Sequence, residues 1–330
     1  MNRRTLLATL PALAACTPVV MSAGPPRLTP AVDGDHLVMA DGALLPLRRW
    51  LPEGAPRAVI LGLHGFGEYA RSFLEDAAPL FTGQGVALYG IDQRGFGAAP
   101  NHGFWAGTET LVADAATACA LLRARHPGVP LVLMGESMGG AVAMVAAAGG
   151  GLAADGLVLL APAIWGRNTM SRTLRFFVGV AGFMLPRWGF RNSFGGITPT
   201  NNEAALIRWS RDPLILRETR VDAAIGLIDL MDAAVAAAPR LGAFGKPVLI
   251  LHGGKDQLIP AGPTRAVLQS LPATLPVTLG FYPDGYHQLL RDEGGTVVVR
   301  DILAWVTVPD APLPSGAEVA AARWLATPAG

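Results

Sequence analysis

Three residues far apart in this chain have the types needed for nucleophilic catalysis: a serine, an aspartate and a histidine. Ser137 stands in Gly135-Glu136-Ser137-Met138-Gly139. A short apolar run, Leu131 to Met134, precedes it with the pattern of a buried strand, and the small residues Ala141 to Ala148 follow with helix-forming character. Strand, G-x-S-x-G and helix together place a serine on a strained turn with its hydroxyl exposed. Gly135 and Gly139 are expected where the turn is too tight for side chains and strand and helix pack closely. In a chain with 40 glycines the five-residue pattern can arise by chance; its strand and helix flanks strengthen it, and the partners of Ser137 must complete the reading.

A serine needs a base to take its proton and an acid to orient that base. On the kind of sheet described below, the order along the chain is serine, acid, histidine. Of the six histidines, only His252 and His287 follow Ser137. His252 closes a strand and precedes the best acid. His287 lies in a loop after a late strand and is expected to be the general base. Asp256, just past the end of an apolar strand, leads as the acid. Asp284 is the alternative, although three residues from His287 it is better placed to shape the turn. Asp92 also follows a strand, but it precedes the serine and is read as structural. The tetrahedral intermediate needs two backbone donors. Met138, next to the serine, is one. Phe66, in His64-Gly65-Phe66-Gly67, is the other, with Gly65 and Gly67 letting the backbone approach the substrate. His64 is then a loop-shaping residue.

The elements that must position these groups follow from periodicity. A hairpin is expected over Leu37 to Ala40 and Ala43 to Trp50, across Asp41-Gly42. Strands are expected at Ala58 to Leu63, Val86 to Ile91, Leu131 to Met134, Leu157 to Ala161, Pro247 to Leu251 and Pro276 to Tyr282. Helices are expected at Arg71 to Gln84, Thr108 to His126, Ala223 to Ala238, Pro263 to Leu271 and Thr296 to Val306. This alternation demands an α/β fold with a mainly parallel open sheet and helices on both faces. It breaks after Pro162. Residues 163–220 carry aromatic, helical stretches and no convincing strand, and Arg175 to Leu185 is conspicuously apolar. That stretch is a helix buried against the core, a lid over an acyl pocket, or a membrane-facing surface.

The set His64-Gly-Phe-Gly-Glu68, Asp92-Gln-Arg-Gly-Phe-Gly97, Gly135-Glu-Ser-Met-Gly-Gly140, His252-Gly-Gly-Lys-Asp256 and Tyr286-His287 resembles the α/β-hydrolase superfamily. More narrowly it is similar to the monoacylglycerol lipase and lysophospholipase group, which is joined with serine aminopeptidase-like hydrolases. The resemblance covers roughly residues 35 to 307. It implies Ser137, Asp256 and His287 as a triad and a helical cap inserted after the strand that ends near Ala161. The domain plan it implies is a core of 35–162 and 221–307, a cap of 163–220, and a Pro-rich linker with a short terminal helix over 308–330. Two positions depart from the group: Glu136 stands where relatives often carry His, and Tyr-Ala-Arg-Ser follows Glu68.

Composition bounds the rest. The chain has 330 residues, a net charge of +1 and no basic or acidic block, so nothing points to nucleic acid and no such partner is expected. Two cysteines and no His/Cys/acid cluster leave no metal or disulfide framework, so no cofactor is expected. Arg3-Arg4, an apolar Leu6 to Ala15 and Cys16 resemble a bacterial lipoprotein signal over residues 1–16, with 17–34 as a tether. The expected location is the cell envelope, anchored to the membrane through a lipid on Cys16. Between 163 and 220 stand nine arginines, no lysine and three acids (Glu203, Asp212, Glu218). That balance disfavours a cationic substrate and suits an anionic head group or lipid surface. The expected function is hydrolysis of monoacylglycerols, lysophospholipids or similar single-chain esters through an acyl-enzyme. The alternatives are an aminopeptidase of the same fold and a catalytically silent binding protein.

Overall fold

The computed structural model describes residues 18–192 and 196–327. The signal segment and Cys16 lie outside the described residues. In chain order the elements are β1 (Ala31–Asp33), β2 (His36–Val38), β3 (Leu44–Trp50), β4 (Ala58–Leu63), α1 (Ala70–Leu74), α2 (Ala78–Thr82), β5 (Val86–Ile91), α3 (Thr108–Arg125), β6 (Leu131–Glu136), α4 (Met138–Ala148) and β7 (Gly156–Leu160). There follow α5 (Arg172–Met184), β8 (Gly189–Arg191), α6 (Glu203–Arg211), β9 (Glu218–Arg220), α7 (Val221–Ala237), β10 (Val248–Gly253), α8 (Ala261–Gln269), β11 (Val277–Tyr282), α9 (Gly295–Thr307) and α10 (Ala317–Ala326).

Nine strands form one sheet in the order β1-β2-β3-β5-β4-β6-β7-β10-β11. The pairs from β5 to β11 are parallel, and the first three strands are joined antiparallel. The apolar runs of β4, β5, β6, β7 and β10 are buried along their whole length, because helices cover both faces. Alternate side chains of β4 serve the two faces. Val59, Leu61 and Leu63 join the core under α3, α4 and α7, while Ala58 and Ile60 join the one under α1, α2 and α9.

The sequence places a single helix over Arg71 to Gln84, where there are two, α1 and α2. Pro79 explains the break: in a continuous helix its ring would clash with the carbonyl of residue 75, whereas in the first turn of α2 it is tolerated. Ala31–Asp33, assigned to a tether, is instead an edge strand paired with β2. The stretch before it is docked as well. Val19 N–H donates to Asp222, Met21 N–H to the Trp105 carbonyl and Ala23 N–H to Thr110 Oγ1.

Between β7 and α7 the chain leaves the sheet. This insertion holds two strands the periodicity does not reveal, β8 and β9, paired antiparallel over only three residues each. Helix α5 has no buried residue, so a helix sunk in the core is excluded. Phe176, Phe177, Phe183, Met184, Leu185 and Trp188 are all exposed.

Candidate active site

Ser137 stands between β6 and α4 with φ of 53°, one of three non-glycine residues among those described with positive φ. A side chain in that region is strained and persists only where the surroundings enforce it. They do so here. The Ser137 N–H donates to the Leu160 carbonyl at the end of β7, and its own carbonyl accepts from Ala163 N–H. The two glycines of the turn leave no room for substitution. A Cβ on Gly135 would overlap the backbone of Gly139, and one on Gly139 would overlap the Leu63 carbonyl.

His287, in the loop after β11, and Asp256, in the loop after β10, meet because β10 and β11 are parallel neighbours ending at the same edge. His287 Nδ1 is 2.8 Å from Asp256 Oδ2, and both side chains are buried. The other Asp256 oxygen accepts from Leu258 and Ile259 N–H at 2.8 and 3.0 Å. Burial alone would raise the Asp256 carboxyl, but His287 and the Ile259 N–H hold it below its ordinary value. Burial pulls the His287 imidazole down, yet Asp256, Glu136 and Glu68 carry it above its ordinary value. With Nδ1–H on the carboxylate, Nε2 is left as the acceptor.

Ser137 and His287 line one cavity of about 400 Å³. Its floor includes Gly65, Phe66, Gly67 and Glu136, and its apolar walls include Trp165, Leu227, Met231 and Leu258. The insertion contributes Phe190, Arg191 and Trp209. Phe66 is the second residue of a turn closed by Glu68 N–H on the Gly65 carbonyl, a position whose own N–H the turn does not use. Gly67 completes that turn at φ of 79°. Met138 opens α4, so its N–H has no acceptor within the helix. A Cβ on Gly65 would sit 3.5 Å from Ser137 Cβ, inside the space a substrate needs.

The remaining candidates fall elsewhere. Asp284 is exposed and paired with Lys255. Asp92 accepts from Ala70 and Ala98 N–H, shaping its turn. His64 Nε2 accepts from Gln93 N–H. His252 is buried against Phe281 and Trp324, and burial pushes its imidazole down to about 4. Cys119 is a buried free thiol, pushed up to about 12 by burial. No group of three metal-ligating side chains occurs among the described residues.

One residue beside the site is not apparent from sequence. Arg291, four positions after His287, is buried and forks onto Glu68 at 2.6 and 3.0 Å, while also pairing with Glu136. Gln288 Nε2 donates at 2.9 Å to Glu68 Oε1, the oxygen that Arg291 reaches at 2.6 Å. The local sequence, Leu289-Leu290-Arg291-Asp292-Glu293, offers nearby acids as partners and gives no sign of Glu68 or Glu136.

The family model described as serine aminopeptidase, S33, matches residues 54–294. A mouse monoglyceride lipase is 28% identical over 287 residues, covering 86% of this chain and 93% of its own. A monoacylglycerol lipase of Mycolicibacterium smegmatis is 27% identical over 266 residues, covering 78% and 90%. Among solved structures, a soluble variant of Saccharomyces cerevisiae monoglyceride lipase in complex with a substrate analog superposes with a TM-score of 0.67. It is 20% identical and covers 89% of this chain and 98% of that one.

Proposed function

The chain belongs to the serine aminopeptidase S33 family of the α/β-hydrolase fold, and from that membership we propose that it hydrolyses carboxylic esters of single-chain lipids through an acyl-enzyme. The observation that carries this reading is the meeting of a strained Ser137 and the His287–Asp256 pair in one largely apolar cavity. Ser137 Oγ attacks the ester carbonyl while His287 Nε2 takes its proton. Asp256 holds the imidazole and stabilises the imidazolium. The N–H groups of Phe66 and Met138 receive the oxyanion. His287 returns the proton to the departing alcohol, and a water activated by the same imidazole releases the fatty acid.

Monoacylglycerols and lysophospholipids both fit an apolar cavity with a polar floor, and the similarity to monoglyceride lipases favours the first. An aminopeptidase would need acids free to hold a substrate ammonium. Glu68 is held by Arg291 and Gln288, Glu136 shares the same guanidinium and sits buried beside Ser137, and Arg191 stands among the residues of the insertion that line the cavity. These features favour the ester.

The membrane is the proposed setting, with Cys16 lipidated in the cell envelope. The docked segment supports it. Val19 is held by Asp222, whose own N–H donates to the Pro186 carbonyl between α5 and β8. A chain arriving there enters beside exposed Leu185 and Trp188. From Ser171 to Arg191 there are four arginines and no acid, a balance suited to an anionic lipid surface.

The test is a panel of monoacylglycerols, lysophospholipids, p-nitrophenyl esters and aminoacyl amides, with labelling by a fluorophosphonate. Ester turnover and labelling, both abolished in Ser137→Ala, are expected. Amide turnover without ester turnover would overturn the ester reading. Neither turnover nor labelling would mean a silent protein.

A further inference from the structure

The catalytic groups come from four segments: the turn after β4, the end of β6, the loop after β10 that carries Asp256, and the loop after β11; three of them meet behind the site, at the turn after β4, the end of β6 and the loop after β11. One buried cation touches all three. Arg291 belongs to the His287 loop. Glu68 is two residues beyond Phe66, and Glu136 is the immediate neighbour of Ser137. Each of these side chains is at most 6% exposed. The charges do not balance, since two carboxylates share one guanidinium. Glu136 Oε2 is buried and finds no hydrogen-bond partner among the described residues, and neither does Arg291 Nε. A network built only to hold the fold would satisfy its oxygens or do without the second acid.

We propose that Glu136 is a positioning residue that, with Arg291 and Glu68, clamps together the three segments carrying Phe66, Ser137 and His287 and supplies the negative charge that supports His287 when it carries the serine proton. This rests on the serine-hydrolase reading above. In the acylation step the proton leaves Ser137 Oγ for His287 Nε2, so a positive charge forms on a buried ring. Asp256 offsets it on the Nδ1 side. A second carboxylate beyond the one Arg291 neutralises offsets it further, and at low local dielectric that support is felt over several ångströms.

The groups facing His287 are few. From the loop after β10 comes Asp256, and from the end of β10 comes His252. From the elbow comes Glu136, and from the turn after β4 comes Glu68. His252 is neutral near pH 7 because burial disfavours its charge. Behind this group lie His64, whose imidazole burial lowers, and Asp92, which is tied to backbone N–H groups. Burial pushes the Glu136 carboxyl up to about 7, against the pull of Arg291. Glu136 and His287 act on each other: the Glu136 carboxylate raises the His287 imidazole, and the imidazolium lowers the Glu136 carboxyl.

The experiment measures kcat and KM from pH 5 to 9 on a soluble short-chain p-nitrophenyl ester. It compares the full chain with Glu136→Gln and Glu136→Asp. Glu136→Gln keeps shape and removes charge, so the imidazole loses support and deprotonates at lower pH. The acidic limb of kcat/KM should move down by about half a pH unit or more. The plateau kcat should fall roughly several-fold with KM within about twofold. Glu136→Asp should recover part of both effects. A Glu136→Gln enzyme with the wild-type limb and kcat, altered only in Tm, would overturn the proposal and leave a fold-holding ion pair. If Glu136→Gln does not fold, Glu68→Gln reads the same charge from the other end of the clamp, and an unmoved limb there overturns it equally. Fluorophosphonate labelling of Ser137 keeps the two readings apart. Its loss in the wild type would sink the hydrolase, whereas a labelled Glu136→Gln with an unshifted profile would sink only the clamp.

Discussion

The floor of the cavity and the insertion beside it are built on opposite terms. The floor is made of strand ends and glycine turns, with His287, Glu136 and Glu68 lining it and Arg291 behind them, all buried and all bonded to one another or to Asp256. The insertion has a helix with no buried residue, short strands and a run of exposed aromatic side chains. The difference teaches a division of labour. Chemistry needs groups held within fractions of an ångström, which a buried and mutually bonded floor provides. Recognition of a bulky apolar substrate needs area and adaptability, which an exposed aromatic surface provides.

The sharpest way to break this division is at the floor. Ser137→Ala should lower kcat/KM on any ester by about 10⁴-fold or more while leaving Tm within a few degrees, because it removes the nucleophile and little packing. Residual turnover within about tenfold of wild type would mean that the chemistry lies elsewhere. Gly139→Ala should act through the fold. Its methyl overlaps the Leu63 carbonyl, so roughly 3 kcal/mol or more of stability should be lost, read as a lower midpoint in urea unfolding. A stable, active Gly139→Ala would mean that the elbow is looser than its backbone implies.

The insertion should answer differently. Phe183→Ser with Trp188→Ser removes two of its most exposed apolar side chains. Turnover of long-chain monoacylglycerol presented in anionic vesicles should fall about tenfold, with turnover of a soluble butyrate ester unchanged. An equal loss on both substrates would place these residues in the chemistry and erase the distinction. The smallest effect is expected at Arg191, where Arg191→Gln should weaken vesicle binding by about threefold at low salt and not at all in about 0.5 M salt.

Much of the floor was legible because its requirements are local. An apolar run ending in G-x-S-x-G demands a strand and a tight turn, and the chain order leaves His287 as the base candidate. Asp256 was legible as the residue just past an apolar strand, and its bond to His287 agrees with that placement. What was not legible depends on distant partners. The split between α1 and α2 turns on a single Pro79, and β8 and β9 are too short to show any period. Ala31–Asp33 reads as linker because a three-residue edge strand carries almost no signal.

The sequence by itself determined the α/β alternation, the strained turn at Ser137 and the chain order of its candidate partners, since periodicity and turn chemistry are properties of neighbouring residues. Tertiary structure alone decided that Arg291 meets Glu68 and Glu136 across 223 and 155 positions. It also decided that the apolar stretch from Arg175 to Leu185 lies outside the core. An ion pair and an exposed face are statements about what stands opposite a residue, and sequence spacing does not fix what stands opposite until the sheet has folded and brought its strand ends together.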